Sequence, residues 1–248
     1  MEKVIVSWSG GKDSCFACYK AMEAGYKVSH LANTISKDYS RVRFHGVEAR
    51  VIQDQAKAIG IPLLQKKTGA ETYEKEFKEN IKPVLPFGVS GLVLGDIHLQ
   101  DCLEWANKVC KSLGIKAIEP LWGLDPEQIF LDFIASGFEA VVVSTQANLL
   151  GKEWVGRKLD ERFLNDLKNL GSIDICGENG EYHTLVTDGP IFKQKIDIKR
   201  SREVLREDYW FLDIQDYRLV HKIWHRIFFS CAPGEPSCLL CLAGEKVP

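Results

Sequence analysis

The chain has 248 residues, 45% hydrophobic and 27% charged, which is enough for one large or two modest globular domains. Its net charge of −2, with both signs interspersed, excludes a general affinity for nucleic acid or anionic membranes. The start lacks a signal-peptide pattern, no apolar run would span a membrane, and eight unevenly spaced cysteines do not form a secreted disulfide scaffold. We therefore expect a cytoplasmic protein without a membrane partner, of undetermined oligomeric state.

Short apolar runs alternate with amphipathic stretches through the first half of the chain. The pattern predicts strands at 3–8, 27–33, 62–66, 91–94 and 116–118, and helices at 13–24, 47–59, 71–81 and 99–113. Such alternation favours parallel strands joined by right-handed crossovers, with helices on both faces of the sheet. Open sheets of this kind bind ligands at the carboxyl ends of their strands.

The rhythm changes after residue 125. The sequence then predicts helices at 126–136 and 160–170, and strands at 138–144, 182–187, 191–199 and 208–214. We therefore predict an α/β protein with three regions: a parallel-sheet domain at 1–125, a smaller α+β domain at 126–222, and a tail at 223–248.

A Ser-Gly-Gly-Lys-Asp-Ser string occupies residues 9–14, between the first strand and the first helix. It is not a Walker P-loop, because Val6 stands where the first glycine belongs and Asp13 follows Lys12. A tight turn, a lysine and a helix start would nevertheless aim backbone N–H groups and a cation at a phosphate chain. Asp13 would then cap the helix or hold Mg²⁺; the alternative is an ordinary turn capped by Asp13 and Ser14.

This string resembles the signature of the PP-loop ATP pyrophosphatases. Further segments resemble the diphthine–ammonia ligase family, at 55–63, 95–97, 120–123, 137–138, 154–161 and 177–184, so that the resemblance covers about residues 3–200. The family usually has Glu-Gly-Gly-Glu where this chain has Asn179 at the second position. Because asparagine tolerates left-handed backbone, we expect the turn to survive the change.

The resemblance implies that the protein adenylates diphthine on translation elongation factor 2 and transfers ammonia to it, using ATP, Mg²⁺ and ammonium. The implied catalytic residues are Lys12, Asp13, Glu178 and Glu181. The implied nucleotide site comprises Ser9, Gly10, Gly11, Lys12, Asp13, Ser14, Asn33, Thr34, Gly95 and Asp96. The implied acceptor contacts are His45, Trp154, Arg157, Glu178, Glu181 and His183.

Several of these residues have a structural alternative. Glu178 and Glu181 would steer ammonium, bind Mg²⁺ or hold the cationic diphthine group, but they equally fit a solvated charged turn. Asp96 would also serve as a helix N-cap, and Asn33 and Thr34 as plain loop residues. Trp154 and Arg157 also fit a core aromatic and a surface ion pair.

Other functions are compatible with the same string. A PP-loop ligase for another small carboxylate is one, and a non-catalytic nucleotide-binding module is another. An RNA sulfurtransferase would use Cys15 and Cys18, which share one helix face, although apolar core positions explain them as well.

The tail contains a possible metal site. Cys231, Cys238 and Cys241 form a Cys-x6-Cys-x2-Cys array, with His225 and His221 upstream. The array predicts a Zn²⁺ site or an iron–sulfur cluster, and the alternative is a plain flexible tail.

Overall fold

A parallel five-stranded sheet forms the first half of the fold. The computed structural model of the chain describes residues 1–37, 41 and 45–222. The strands are β1 (Lys3–Ser7), β2 (Lys27–Ser36), β3 (Leu63–Thr68), β4 (Val89–Val93) and β5 (Lys116–Ile118), in the spatial order β3-β2-β1-β4-β5. The chain therefore runs outward from β1 to one edge and then restarts on the other side of β1 with β4. This reversal opens a crevice at the carboxyl ends of β1 and β4.

Helices cover both faces of this sheet. They are α1 (Lys12–Glu23), α2 (Ala49–Ile59), α3 (Tyr73–Ile81) and α4 (Gln100–Leu113). Val4 and Val6 belong to one core cluster with residues of α1 and α2, whereas Ile5 belongs to a second cluster with residues of α3 and α4. Successive side chains of a strand point to opposite faces, so the apolar run of β1 contributes to both cores.

The second half of the chain is built on an antiparallel sheet. Its elements are α5 (Pro126–Ala135), β6 (Glu139–Gln146), α6 (Glu161–Leu170), β7 (Tyr182–Asp188), β8 (Gln194–Arg206) and β9 (Tyr209–His221). The strand order is β7-β6-β9-β8. The predicted fold class, a parallel-sheet α/β unit followed by an α+β unit, is confirmed.

The hairpin of β8 and β9 is much longer than predicted. Each strand has 13 residues, and the two pair along almost their whole length. Residues 199–203 of β8 are all exposed and mostly charged, so they lack the apolar alternation by which a strand is recognised. Backbone pairing with β9, which no local pattern reveals, makes this segment a strand.

The two halves share one hydrophobic core. The cluster on the α1/α2 face of the parallel sheet includes Phe16 as well as Phe130, Phe163 and Tyr182 from the second half. Phe130 and Phe163 stack with ring centroids 6.0 Å apart. The division at residue 125 therefore stays a prediction, and the predicted tail at 223–248 lies outside the described residues.

The described helices include none with both the length and the apolar character needed to cross a membrane.

Candidate active site

The Ser-Gly-Gly-Lys-Asp-Ser string forms the turn between β1 and α1. Gly10 has a φ of +84°, and a Cβ there would lie 2.6 Å from Gln55 Oε1, so both backbone conformation and space require glycine. Ser9 Oγ accepts a hydrogen bond from Gly11 N at 3.2 Å and lies 3.1 Å from Ser14 Oγ. The serines thus close the turn that the sequence predicts.

Lys12 lies at the centre of the site. Its side chain is only 3% exposed, and its Nζ donates to both carboxylate oxygens of Asp13, at 2.7 and 2.8 Å, and to the carbonyl of Cys176. Burial lowers the pKa of Lys12, but Asp13, Cys176 and Tyr182 raise it by more, so the net pKa is raised and the ammonium stays charged.

Asp13 pairs with this lysine and does not cap the helix. Helix α1 begins after Gly11 and has no side-chain capping hydrogen bond. Burial raises the pKa of Asp13 above its ordinary value, and the neighbouring ammonium offsets only part of that effect. The ion pair with Lys12, which engages both carboxylate oxygens, thus favours the phosphate-loop interpretation of Asp13 over the capped turn.

The second half of the chain contacts the loop directly. Lys12 N donates to Thr184 Oγ1 at 3.0 Å, and Val186 N donates to Gly10 O at 2.9 Å. Gln55, which is fully buried on α2, completes this junction: its Nε2 donates to Gly10 O and Val186 O, and its Oε1 accepts from Trp8 Nε1. The start of β7 and the loop are therefore held as one unit.

Two histidines lie beside this junction. His45 Nδ1 is 3.0 Å from Thr184 O, and because a carbonyl only accepts, Nδ1 carries the proton. The ring centroids of His45 and His183 are 4.7 Å apart. Burial lowers the pKa of His45 to about 4, and burial, His45 and Lys12 lower that of His183, so both rings are neutral near pH 7.

The acidic motif at 177–184 folds back on itself. Asp174 Oδ1 accepts from the backbone N–H groups of Cys176 and Glu178, and Glu181 Oε1 accepts from Asp174 N at 3.0 Å. Gly177 and Gly180 have φ values of +67° and +89°, whereas Asn179 is outside the left-handed region. The turn forms with Asn179 in place, as expected, although the flanking glycines and not Asn179 take the left-handed conformation.

Glu178 connects this motif to the loop after β4. Its carboxylate accepts hydrogen bonds from Ile97 N and His98 N, and the His98 ring lies 2.9 Å from Oε2. The side chain is 12% exposed, so it is not the solvated turn residue of the structural alternative. Its contacts fix two loops against each other.

A cavity of about 560 Å³ opens at the crevice beside β1 and β4, a volume typical of small-molecule sites. Six of the predicted residues line it: Ser9, Asn33, Thr34, His45, Gly95 and Asp96. Three aromatic residues that were not predicted from sequence also line it, Tyr73, Phe77 and Trp105, and their ring centroids lie 5.3–6.0 Å apart. Their position near the starts of α3 and α4, at the carboxyl edge of the sheet, was the available signal.

Two predicted nucleotide residues shape the cavity wall. The Asn33 side chain is buried, donates to Trp8 O at 2.8 Å and accepts from Gln65 Nε2 at 2.9 Å. A Cβ at Gly95 would lie 2.8 Å from the carbonyl carbon of Asp13, so only glycine allows this close approach. Asp96 is not an N-cap, because α4 begins after Leu99.

Trp154 and Arg157 lie apart from the cavity lining. Trp154 is buried edge-on against Phe163, and the Arg157 guanidinium lies 4.4 Å from the Trp154 ring centroid and pairs with Asp166. Trp154 is thus a core aromatic and Arg157 forms an ion pair, as the structural alternative predicted. A contact of either residue with the acceptor stays a prediction.

Burial raises the pKa of two neighbouring carboxylates, Asp96 and Glu119, and the second of them was missed from sequence. Burial, with Glu178 and Asp13, raises the pKa of Asp96 to about 6; burial, with Asp96 and Glu178, raises that of Glu119 to about 7. A charged residue between a short strand and Pro120 was the only signal for Glu119.

Within residues 1–37, 41 and 45–222, no group of three His, Cys, Asp or Glu side chains is arranged to hold a metal ion. The predicted zinc ligands Cys231, Cys238, Cys241 and His225 lie outside those residues.

Comparison with known proteins identifies the family. The profile described as Diphthamide synthase N-terminal domain matches residues 2–117, and the Diphthamide synthase C-terminal domain matches residues 125–220. A solved structure, the predicted subunit of a tRNA methyltransferase from Methanocaldococcus jannaschii, aligns at 17% identity over 77% of this chain and 98% of that chain with a TM-score of 0.42, which is too weak to argue from.

The curated relatives share one description, diphthine–ammonia ligase. The Schizosaccharomyces pombe protein is 31% identical over 82% of this chain, which spans 37% of that longer protein. The Danio rerio protein is 28% identical over 83% of this chain and 90% of its own length, and the human protein 27% over 82% and 85%. Because the two domain profiles together match most of its length, this chain belongs to the diphthamide synthase family.

Proposed function

We propose that this chain is an ATP-dependent ligase that amidates diphthine on translation elongation factor 2 in the cytoplasm, releasing AMP and pyrophosphate. The relatives that carry the name diphthine–ammonia ligase support this assignment. The observation that carries it is Lys12: a buried, charged lysine at a helix start, held by Asp13 of the loop and by Cys176 next to the acidic motif.

Adenylation explains why such a lysine is needed. A carboxylate is a poor electrophile, and transfer of AMP to it supplies a good leaving group. Negative charge then builds on the departing pyrophosphate, where Lys12 and the N-terminal N–H groups of α1 stabilise it. Mg²⁺ would add to the same stabilisation, with Asp13 as its candidate ligand.

The contacts of Lys12 also give Asp13 a role before ATP binds. A lysine ammonium has three donors, and the two oxygens of Asp13 and the Cys176 carbonyl account for three acceptors. Asp13 therefore holds Lys12 charged and oriented. An incoming phosphate would share or take over these hydrogen bonds.

We assign the cavity to ATP. Its volume and position fit a nucleotide whose phosphates reach the loop, and Tyr73 and Trp105 offer ring faces to the adenine. Thr34 also lines the cavity and is the candidate polar contact for the nucleoside.

We assign the second half of the chain, 126–222, to the acceptor. Glu181 is 5% exposed, and its Oε2 is buried with no hydrogen-bond partner among the described residues, so it retains an acceptor for a substrate cation. His183 and Glu178 flank the same junction. These residues support an acceptor site on the side of the loop next to Lys12.

Sulfur transfer is not favoured. Cys15 and Cys18 are fully buried in the core, and burial raises the pKa of Cys15 well above its ordinary value and that of Cys18 to about 12. The reactive form of cysteine is the thiolate, which these surroundings suppress.

The test uses elongation factor 2 that carries diphthine, with ATP, Mg²⁺ and ammonium chloride. We expect AMP and pyrophosphate in equal amounts with the amide, measured by chromatography and by the mass change of the modified peptide. Lys12→Ala should abolish product formation, and elongation factor 2 without diphthine is the control. Release of ADP and phosphate, or AMP without an amide, would contradict the proposal.

A further inference from the structure

Glu119 is an unpaired carboxylate in the interior of the site. It directly follows β5, and both of its carboxylate oxygens are fully buried and accept no hydrogen bond from the part of the chain that the structure describes. A buried carboxylate without a partner is costly, and proteins retain such groups mainly where a ligand supplies the missing partner.

Neighbouring strands bring this carboxylate close to Asp96. Strands β4 and β5 are parallel, with Val93 opposite Ile118, so Asp96 and Glu119 leave the sheet at the same edge. Gly123 N donates to Ile97 O at 2.8 Å, which joins the loops that carry the two acids. Asp96 itself lines the cavity.

Glu178 is the third acid of this group. It reaches the same loop through Ile97 N and His98 N, and its charge acts on both Asp96 and Glu119. Glu178 thus lies close enough to raise the pKa of both Asp96 and Glu119, and no described Lys or Arg forms an ion pair with Glu119 or Asp96. A bound cation would therefore be stabilised by these carboxylates.

We propose that Glu119 and Asp96 form the binding site for the ammonium ion that becomes the amide nitrogen. This inference rests on the proposed ligase function, in which ammonium is the cationic substrate. The four N–H donors of ammonium suit carboxylate oxygens that lack partners. The loop that carries Asp96 and Gly95 also touches the backbone of Asp13, so the ion would lie beside the nucleotide site.

The same carboxylate would produce the nucleophile. Ammonium has no free electron pair, so it transfers one proton to Glu119, giving ammonia and a neutral carboxylic acid. Ammonia then attacks the acyl carbon of the acyl-adenylate: the C–N bond forms, and the C–O bond to AMP breaks with its electron pair leaving on AMP. The second proton passes from the new acyl-ammonium group to water, which completes the balance.

The test compares Glu119→Gln with the wild-type enzyme. The substitution keeps size and removes the charge. We expect the KM for ammonium chloride to rise by about 10- to 100-fold, the loss of one charge-assisted contact, while the KM for ATP changes little. The kcat should fall as well, because glutamine cannot accept the proton of ammonium. Glu23→Gln is the matched control, because Glu23 is an exposed glutamate at the far end of α1 and should behave as wild type.

A second measurement does not need turnover. Ammonium chloride should raise the melting temperature of the wild-type protein above that in sodium chloride of equal ionic strength, and Glu119→Gln should lose this increment. If Glu119→Gln did not fold, the wild-type comparison would still decide. The absence of an increment specific to ammonium would overturn the proposal. A larger increment from magnesium chloride that Glu119→Gln also lost would overturn it in favour of a metal site.

Pyrophosphate exchange separates this inference from the proposed function. Exchange of labelled pyrophosphate into ATP, with diphthine-bearing elongation factor 2 and no ammonium, reports adenylation alone. Its absence in the wild-type enzyme would count against the ligase assignment. Its presence, together with an unchanged KM for ammonium in Glu119→Gln, would refute only the ammonium site.

Discussion

Gln55 is expected to be among the most important polar side chains for stability. It is fully buried on α2 and makes three hydrogen bonds, to Trp8, Gly10 and Val186. Gln55→Met keeps the length of the side chain and removes all three. Gly10 O still accepts from Val186 N, but the Trp8 indole N–H and Val186 O lose these partners.

The expected cost follows from those two groups. Each buried group left without a partner costs roughly 1–3 kcal/mol, so the free energy of unfolding should fall by about 2–6 kcal/mol. This is a large share of the roughly 5–15 kcal/mol that stabilises a typical domain. Because Gln55 also holds Gly10, the affinity for ATP should decrease as well.

Urea unfolding followed by circular dichroism measures the change. Gln53→Met is the matched control on the same helix: Gln53 is exposed and its side chain bonds Gln65 at 2.8 Å, so the cost of this substitution should stay within about 0.5 kcal/mol. If Gln55→Met cost no more than Gln53→Met, these hydrogen bonds would not be what joins the loop to β7.

Three further predictions concern the site. Asp13→Asn should slow AMP release by roughly 100-fold, since one oxygen now holds Lys12 in place of two, and should also lower the melting temperature, because it leaves the buried ammonium of Lys12 without its carboxylate; near-normal release would contradict this role. Gly95→Ala should weaken ATP binding at least about tenfold in calorimetry, because its Cβ would lie 2.8 Å from the Asp13 carbonyl carbon; unchanged affinity would show that the loop yields freely. The free energy of unfolding should fall as pH rises between about pH 5 and pH 8, because Glu119, with a pKa raised from 4.5 to about 7, keeps its proton to a higher pH in the folded state than in the unfolded state. Urea titrations of Glu119→Gln should show a weaker dependence on pH.

Local patterns were sufficient for the framework of the first half. The apolar run of β1, the glycine turn and the start of α1 are adjacent in sequence, so their order placed the string at the carboxyl edge of a parallel sheet. The buried cysteines of α1 followed from the same periodicity. The β8–β9 hairpin did not, because its strand pairing rests on backbone hydrogen bonds between polar segments.

What surrounds Lys12 was decided by tertiary structure. Lys12 N meets Thr184 Oγ1 across 172 residues of sequence, and its Nζ meets the Cys176 carbonyl across 164. The sequence identified the loop and the acidic motif as separate features and indicated Glu178 as a catalytic candidate. It did not indicate that Glu178 binds the loop after β4 through two backbone N–H groups. Contacts over such separations depend on how whole elements pack, and no hydrophobic period or turn residue encodes them locally. Glu119 could not be predicted from sequence for the same reason. It stands out because its carboxylate is buried without a partner among the described residues, and this burial arises only when the surrounding loops have folded.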